Sequence, residues 1–297
     1  MKSFKKSFFI LALCVSITGL PAASLAATAS STATANTTTT KSSAKNVPVL
    51  LQINEFNILY TLPKEPYIDN KQRLMIPLRA ISELLGGTVS YDAHAKQASV
   101  RMGEKELTFT ANSTNIKANG RNLSMDTTPV VYKQSLFVPV RALIDHLGLE
   151  ATRDATTGVL GVLHIESPSL DNFAMIQSIK ESDQSPEIAN NFAIQPLFYS
   201  LTMNDPSKST LLSGTAQITA KNISGEQVQQ GKEDLHVIFL YDSAFQMEAD
   251  SNTTDQNNER PRPALTKGQT FQRHLDFTAS NYGEKLKYIL AVGRVFK

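Results

Sequence analysis

Catalysis or ligand binding in this 297-residue chain would have to run through five histidines, two repeated arginines, two aspartates and one cysteine. The histidines are His94, His146, His164, His236 and His274. No two stand at the spacing of a metal-binding pair. There is no His-Glu-x-x-His segment to set two imidazoles on one helical face. His94 falls in a turn and His146 on the polar flank of a helix, positions that read as surface roles. The sequence has no Gly-x-Ser-x-Gly elbow, no phosphate-cradling Gly-Lys-Ser/Thr loop and no cysteine nucleophile. No catalytic residue, metal ligand or cofactor-binding residue is therefore expected.

Arg79 and Arg141 are the sharpest candidates, because each occupies the same place in a repeated segment. One reading makes them anion or glycan contacts at the start of a helix, where the backbone dipole is positive. The other makes each guanidinium a tie between its helix and strand carbonyls, or a carboxylate such as Asp92. An arginine repeated in both copies favours the architectural role, which requires that it be buried. Asp92 and Asp154 sit where turns begin and are expected to initiate them.

The elements that carry these residues come from self-similarity. LMIPLRAISELLGG (74–87) and LFVPVRALIDHLGL (136–149) align without gaps at an offset of 62 residues, with six identities. In each, two apolar residues run into a proline suited to the first turn of a helix. Leu78, Ile81 and Leu85, and likewise Val140, Leu143 and Leu147, then form one apolar helical stripe. Gly86 and Gly148 follow as left-handed stops. After each helix the period falls to two: TVSY and QASVRM flank a turn begun by Asp92, and Gly103-Glu104 makes a Gly-first hairpin into KELTFTA. Hairpins also precede each helix, VLLQINEFNILYT before the first and NIKANGRNLSMDT before the second. The sequence predicts an α+β N-terminal domain, an antiparallel sheet with two short helices and an internal repeat.

The Asn119-Gly120 hairpin, the paired Pro-x-Arg segments, the Leu-Gly stops and Tyr91-Asp92 resemble the copper amine oxidase N-terminal domain family. These are the stalk domains of proteins exported by Gram-positive spore-formers, and the resemblance covers about 49–166. Tyr91 stands where that family often has tryptophan, and Arg153 replaces the aromatic in the second copy. The oxidase chemistry does not follow from the name. It belongs to a separate catalytic domain with three copper-binding histidines and an Asn-Tyr-acidic motif, whereas Asn281-Tyr282-Gly283 here lacks the acidic residue.

Past Ser167 the pattern changes. Leu170, Phe173, Ile176 and Ile179 behind Ser169 predict one amphipathic helix in a connector over 167–190, with Ser169 as its cap. Five β-patterned runs follow (192–203, 211–224, 234–242, 269–279 and 285–296), and 251–263 reads as a long polar loop. The rhythm predicts an all-β, Ig-like sandwich over 191–297. Gly214, Lys221-Asn222-Ile223-Ser224, Ile238 to Asp242, Leu265 to Gly268 and Phe271 resemble the FxLYD family of exported sandwiches. That resemblance implies a binding or spacer module. Two independently stable units, 47–166 and about 190–297, are expected.

The N-terminus supplies an address. Three lysines precede a 13-residue apolar stretch (8–20), then Pro21 and Ser24-Leu25-Ala26, the order of a secretory signal peptide over 1–26. Thirteen apolar residues are too few to span a bilayer, so no integral membrane segment is expected after cleavage. The single cysteine, Cys14, lies inside that leader, which removes disulfides from the mature chain. Residues 27–46 are a Thr/Ser/Ala tract with no apolar period and read as a disordered tether. Losing the leader lysines takes the formal charge from +2 to −1, which argues against a nucleic-acid partner. The expected protein is extracellular, secreted or loosely wall-associated. It would be a non-enzymatic binding or spacer protein of the cell envelope, with an envelope polymer or protein as partner. A wall-polymer hydrolase whose site leaves no motif is the alternative.

Overall fold

The computed structural model describes residues 46–154, 161–183, 187–205, 209, 211–247, 260–280 and 283–297. The leader, Cys14, nearly all of the tether, most of the polar loop, Asn281-Tyr282 and most of the second copy's turn lie outside the described residues. In chain order come β1 (Val47–Pro48), β2 (Leu51–Ile53), β3 (Phe56–Thr61), β4 (Tyr67–Ile68), β5 (Leu74–Pro77) and α1 (Leu78–Leu84). Then follow β6 (Thr88–Asp92), β7 (Gln97–Met102), β8 (Lys105–Thr110), β9 (Asn115–Ala118) and β10 (Arg121–Ser124). β11 (Val130–Tyr132) and β12 (Ser135–Pro139) lead into α2 (Val140–Leu147), with β13 (Glu150–Asp154) and β14 (Val162–Glu166) after it. A 3-10 turn (Pro168–Asn172) and α3 (Ala174–Ser182) connect to β15 (Ile188–Asn190), β16 (Ile194–Met203) and β17 (Leu211–Asn222). β18 (Glu233–Leu240), β19 (Phe245–Met247), β20 (Thr270–Ser280) and β21 (Tyr288–Phe296) complete a β-rich mixed fold.

Local chemistry sets the two repeated segments. Pro77 and Pro139 stand as N-caps with extended ψ of 114° and 125°, so each helix starts one residue later than the proline. Gly148 caps α2 at φ 74°, and Gly86, just past the cap of α1, takes φ 79°. No side chain reaches the left-handed region as readily. β5 and β12 then pair antiparallel with Ile76 opposite Val138, its counterpart 62 residues on. Met75 and Pro77 lie opposite Pro139 and Phe137, so the register is symmetric about that central pair. The hairpin turns fall where expected: Asn119 and Gly120 both have positive φ between β9 and β10, and Gly103 does so between β7 and β8.

Three findings depart from expectation. β14 runs parallel to β2, with Ile165 opposite Ile53, so the N-terminal half is not purely antiparallel. The whole excursion from β3 to β13 serves as the crossover that a parallel pair needs. Ser169 does not cap the connector helix. It sits inside the 3-10 turn begun by Pro168, and α3 starts only after Phe173, with Leu170, Ile176 and Ile179 buried.

The third departure is the largest. The two halves share one eight-stranded sheet, in the order β13-β14-β2-β3-β21-β18-β19 with β15 also paired to β21. Leu290 lies opposite Ile58, and Val292 opposite Phe56. One apolar core accordingly joins Leu78, Ile81 and Leu85 to Tyr288, Leu290 and Val292. The second core, between this sheet and the sheet β1-β16-β17-β20, includes Val49 and Leu59. The expected boundary between independent units is crossed on both faces of β21. The physical reason is burial: β18 is buried along its whole length, and a strand covered on both faces needs neighbours at both edges.

Candidate functional site

α1 places its residues on a concave face bounded by β6, β7, β11, the start of β12 and the start of β21. The resulting groove encloses about 530 Å³. Leu78, Val89, Ala98, Val131, Leu136 and Tyr288 are among its apolar lining, with Arg79, Glu83 and Lys287 as its charged groups. Several lining side chains are open to water, Val131 at 53%, Tyr91 at 56% and Leu62 at 40%. Exposed apolar groups gathered in one concavity, rather than scattered, make this face the candidate contact surface.

The C-terminal strand fixes the floor. The Tyr288 hydroxyl donates to the Ala80 carbonyl at 2.9 Å, joining β21 to α1. Burial, with Glu83 nearby, raises the Tyr288 phenol well above its ordinary pKa, so it remains a donor at any physiological pH. Lys287 is held by Asp242 at 2.9 Å.

Arg79 and Arg141 are both exposed, and neither is buried in the architectural role favoured by the repeat. Their fates nevertheless differ. Arg141 Nε lies 3.2 Å from Asp145 Oδ2, four residues on in the same helix, with the arginine side chain 80% exposed. Arg79 has Glu83 at the same spacing, but no ion pair or hydrogen bond joins Arg79 to any described residue. Arg79 lines the groove, whereas Arg141 does not. The reason for the failed expectation is local: the apolar stripe of each helix lies on Leu78–Ile81 and Val140–Leu143, which turns the residue after the first stripe position outward. Asp92 does start its turn, accepting from the backbone N–H of His94 at 2.8 Å and of Ala95 at 3.0 Å.

Sequence reasoning missed a second cluster. Asp234 is fully buried in β18, directly opposite Arg294 of β21. Its Oδ1 accepts from Arg260 at 2.9 Å, and its Oδ2 accepts from Arg294 Nε at 2.9 Å, with His236 Nδ1 at 3.2 Å. Arg294 also donates to Asp183, just past α3, at 2.6 Å. Beside Asp234, Glu233 pairs with Arg273 and lies 3.9 Å from Arg262. Burial alone would raise the Asp234 carboxyl, but the His236 ring and the Arg294 guanidinium outweigh it and hold the pKa at about 2. Burial pushes Glu233 up in spite of Arg273 and Arg262. His236, Arg294, Asp183, Lys180 and Glu55 line a smaller cavity of about 300 Å³. The signal was present as two charged residues and a histidine inside an otherwise apolar strand, Glu233-Asp234-Leu235-His236. Among the described residues no cluster of three or more His, Cys, Asp or Glu side chains has the arrangement of a metal site. No described helix is long and apolar enough to cross a membrane.

Residues 52–162 match the copper amine oxidase N-terminal domain family, a non-catalytic stalk domain. The match spans both Pro-x-Arg segments, α1 and α2, and ends at the first residue of β14. It contains most of the groove wall but not Lys287 or Tyr288. No curated protein resembles the chain closely enough to match it.

Proposed function

We propose that the chain is an exported, non-enzymatic binding protein of the bacterial cell envelope, with the α1 groove as its contact surface. On this reading the leader directs export, the Thr/Ser tract is a spacer, and the Pro-x-Arg segments are a duplicated unit of which one copy became the binding face. The β1-β16-β17-β20 sheet and its partner form the Ig-like sandwich that backs it. The observation that carries the proposal is Arg79, an unpaired guanidinium on the rim of an exposed apolar groove. A cation there attracts anionic groups, while the apolar lining rewards contact beyond charge.

Co-sedimentation of the mature chain with purified peptidoglycan sacculi tests this. Binding should fall in Arg79→Ala, weaken with salt, and be unchanged in Arg141→Ala, whose guanidinium lies outside the groove. Equal sedimentation of Arg79→Ala and the parent would refute the groove as the contact. One feature favours the hydrolase reading: His236, with Nδ1 3.2 Å from Asp234 Oδ2, lines a cavity. Clearing of peptidoglycan in a zymogram, abolished by His236→Gln, would replace the binding proposal.

A further inference from the structure

We infer that the groove receives an extended polypeptide segment with a free carboxylate, added as a strand to the open edge of β11. This rests on the groove being the contact surface and specifies its occupant. β11 is the last strand of the sheet β11-β12-β5-β4, and among the described residues only β12 pairs with it. Lys133 and Gln134 both have positive φ, 45° and 66°, which is the mirror-image two-residue turn. That turn makes Tyr132 and Ser135 the closing hydrogen-bonded pair. Alternation along the ladder then aims the Val131 N–H and C=O away from β12, toward solvent. The N–H and C=O of one residue in an added strand match this outward pair at strand spacing.

The side chains agree. Val130, Val131 and Tyr132 are all exposed, an apolar edge bounded by Pro129 and Lys133 that has room for a short segment. Val131 and its cross-strand neighbour Leu136 both line the groove, so alternate side chains of an added strand fall onto the same apolar face. Arg79 is the charge complement. The groove's other cation, Lys287, is already paired with Asp242, and its one anion, Glu83, forms no ion pair with Arg79, so this guanidinium is left to meet a ligand carboxylate.

The test is fluorescence anisotropy on the mature chain with a short labelled peptide alternating valine and serine. It is supplied as the C-terminal acid, as the C-terminal amide, and as the acid with its central amide N-methylated. The acid should bind about tenfold more tightly than the amide. Arg79→Ala should erase that difference, and N-methylation should abolish binding. Val131→Pro should abolish it too, since it removes the outward N–H while leaving the β12 ladder intact. Parent-like circular dichroism would confirm that this variant folds.

Equal binding of acid and amide, or binding indifferent to N-methylation, overturns the inference. So does failure of the peptide to bind while sacculus binding still depends on Arg79; in that case the groove reading survives and its occupant is not a polypeptide strand. A dimer in sedimentation velocity that Val131→Pro dissolves, with no peptide binding, overturns it in favour of a second copy.

Discussion

Replacing Asp234 by asparagine tests the buried ion cluster that ties the last strand to the rest of the molecule. The carboxylate is fully buried and meets Arg260, Arg294 and His236, so its charge offsets two guanidinium groups that are themselves nearly buried. Asparagine keeps one acceptor oxygen but presents an amide NH2 where a guanidinium must find an acceptor. Breaking one partner of a buried pair costs roughly 3–5 kcal/mol, because the remaining charge is stranded in low dielectric. Against a total stability of about 5–15 kcal/mol that is a large fraction. In a domain of this size it lowers the melting temperature by roughly 6–20 °C.

The sign with pH is fixed by the depressed pKa. A carboxyl held at about 2 when folded, against an ordinary value of 3.8, contributes stability that is fully present above the ordinary value. That contribution, about 2–3 kcal/mol, is lost as pH falls toward 2. Glu233 acts in the opposite sense, since its raised pKa makes the folded chain favour the protonated form as pH falls. The difference between parent and Asp234→Asn largely cancels that background. Urea unfolding followed by circular dichroism at pH 7, 4 and 2.5 should show a penalty that shrinks with falling pH. A penalty below ~1 kcal/mol at pH 7, or one that does not change with pH, would mean that the cluster is not a load on stability.

The shared sheet gives a second expectation. The isolated 47–166 fragment loses β21 beside β3 and the Tyr288 bond to α1, and should show no cooperative melt; a sharp transition with native-like circular dichroism would restore two independent units. Gly293 is a close-approach position, where an added Cβ would sit 1.8 Å from the backbone carbonyl oxygen of Ile194. Gly293→Ala must push β21 from β16 and should cost about 2–3 kcal/mol, read as a lower urea midpoint at unchanged slope.

What could be read from the sequence was whatever is settled within a few residues. The prolines and glycines bounded α1 and α2, Asn119-Gly120 and Gly103 placed hairpins, and the apolar runs located β16, β17, β18, β20 and β21. Pairing across two hundred residues leaves no such mark. Tyr288-Ile289-Leu290-Ala291-Val292 declares a strand buried on both faces, but nothing in it specifies β3 as its neighbour.

The same limit explains the arginines. Arg79 and Arg141 share a motif and an outward direction, so local reasoning treats them alike. They are separated by an i+4 pair that closes in one helix and not in the other. They are separated again by Lys287 and Tyr288, which the far end of the chain brings beside α1 alone. The groove is therefore a property of the joined fold. A stalk domain taken by itself carries the arginine and most of the apolar wall, but it lacks the strand that closes the groove.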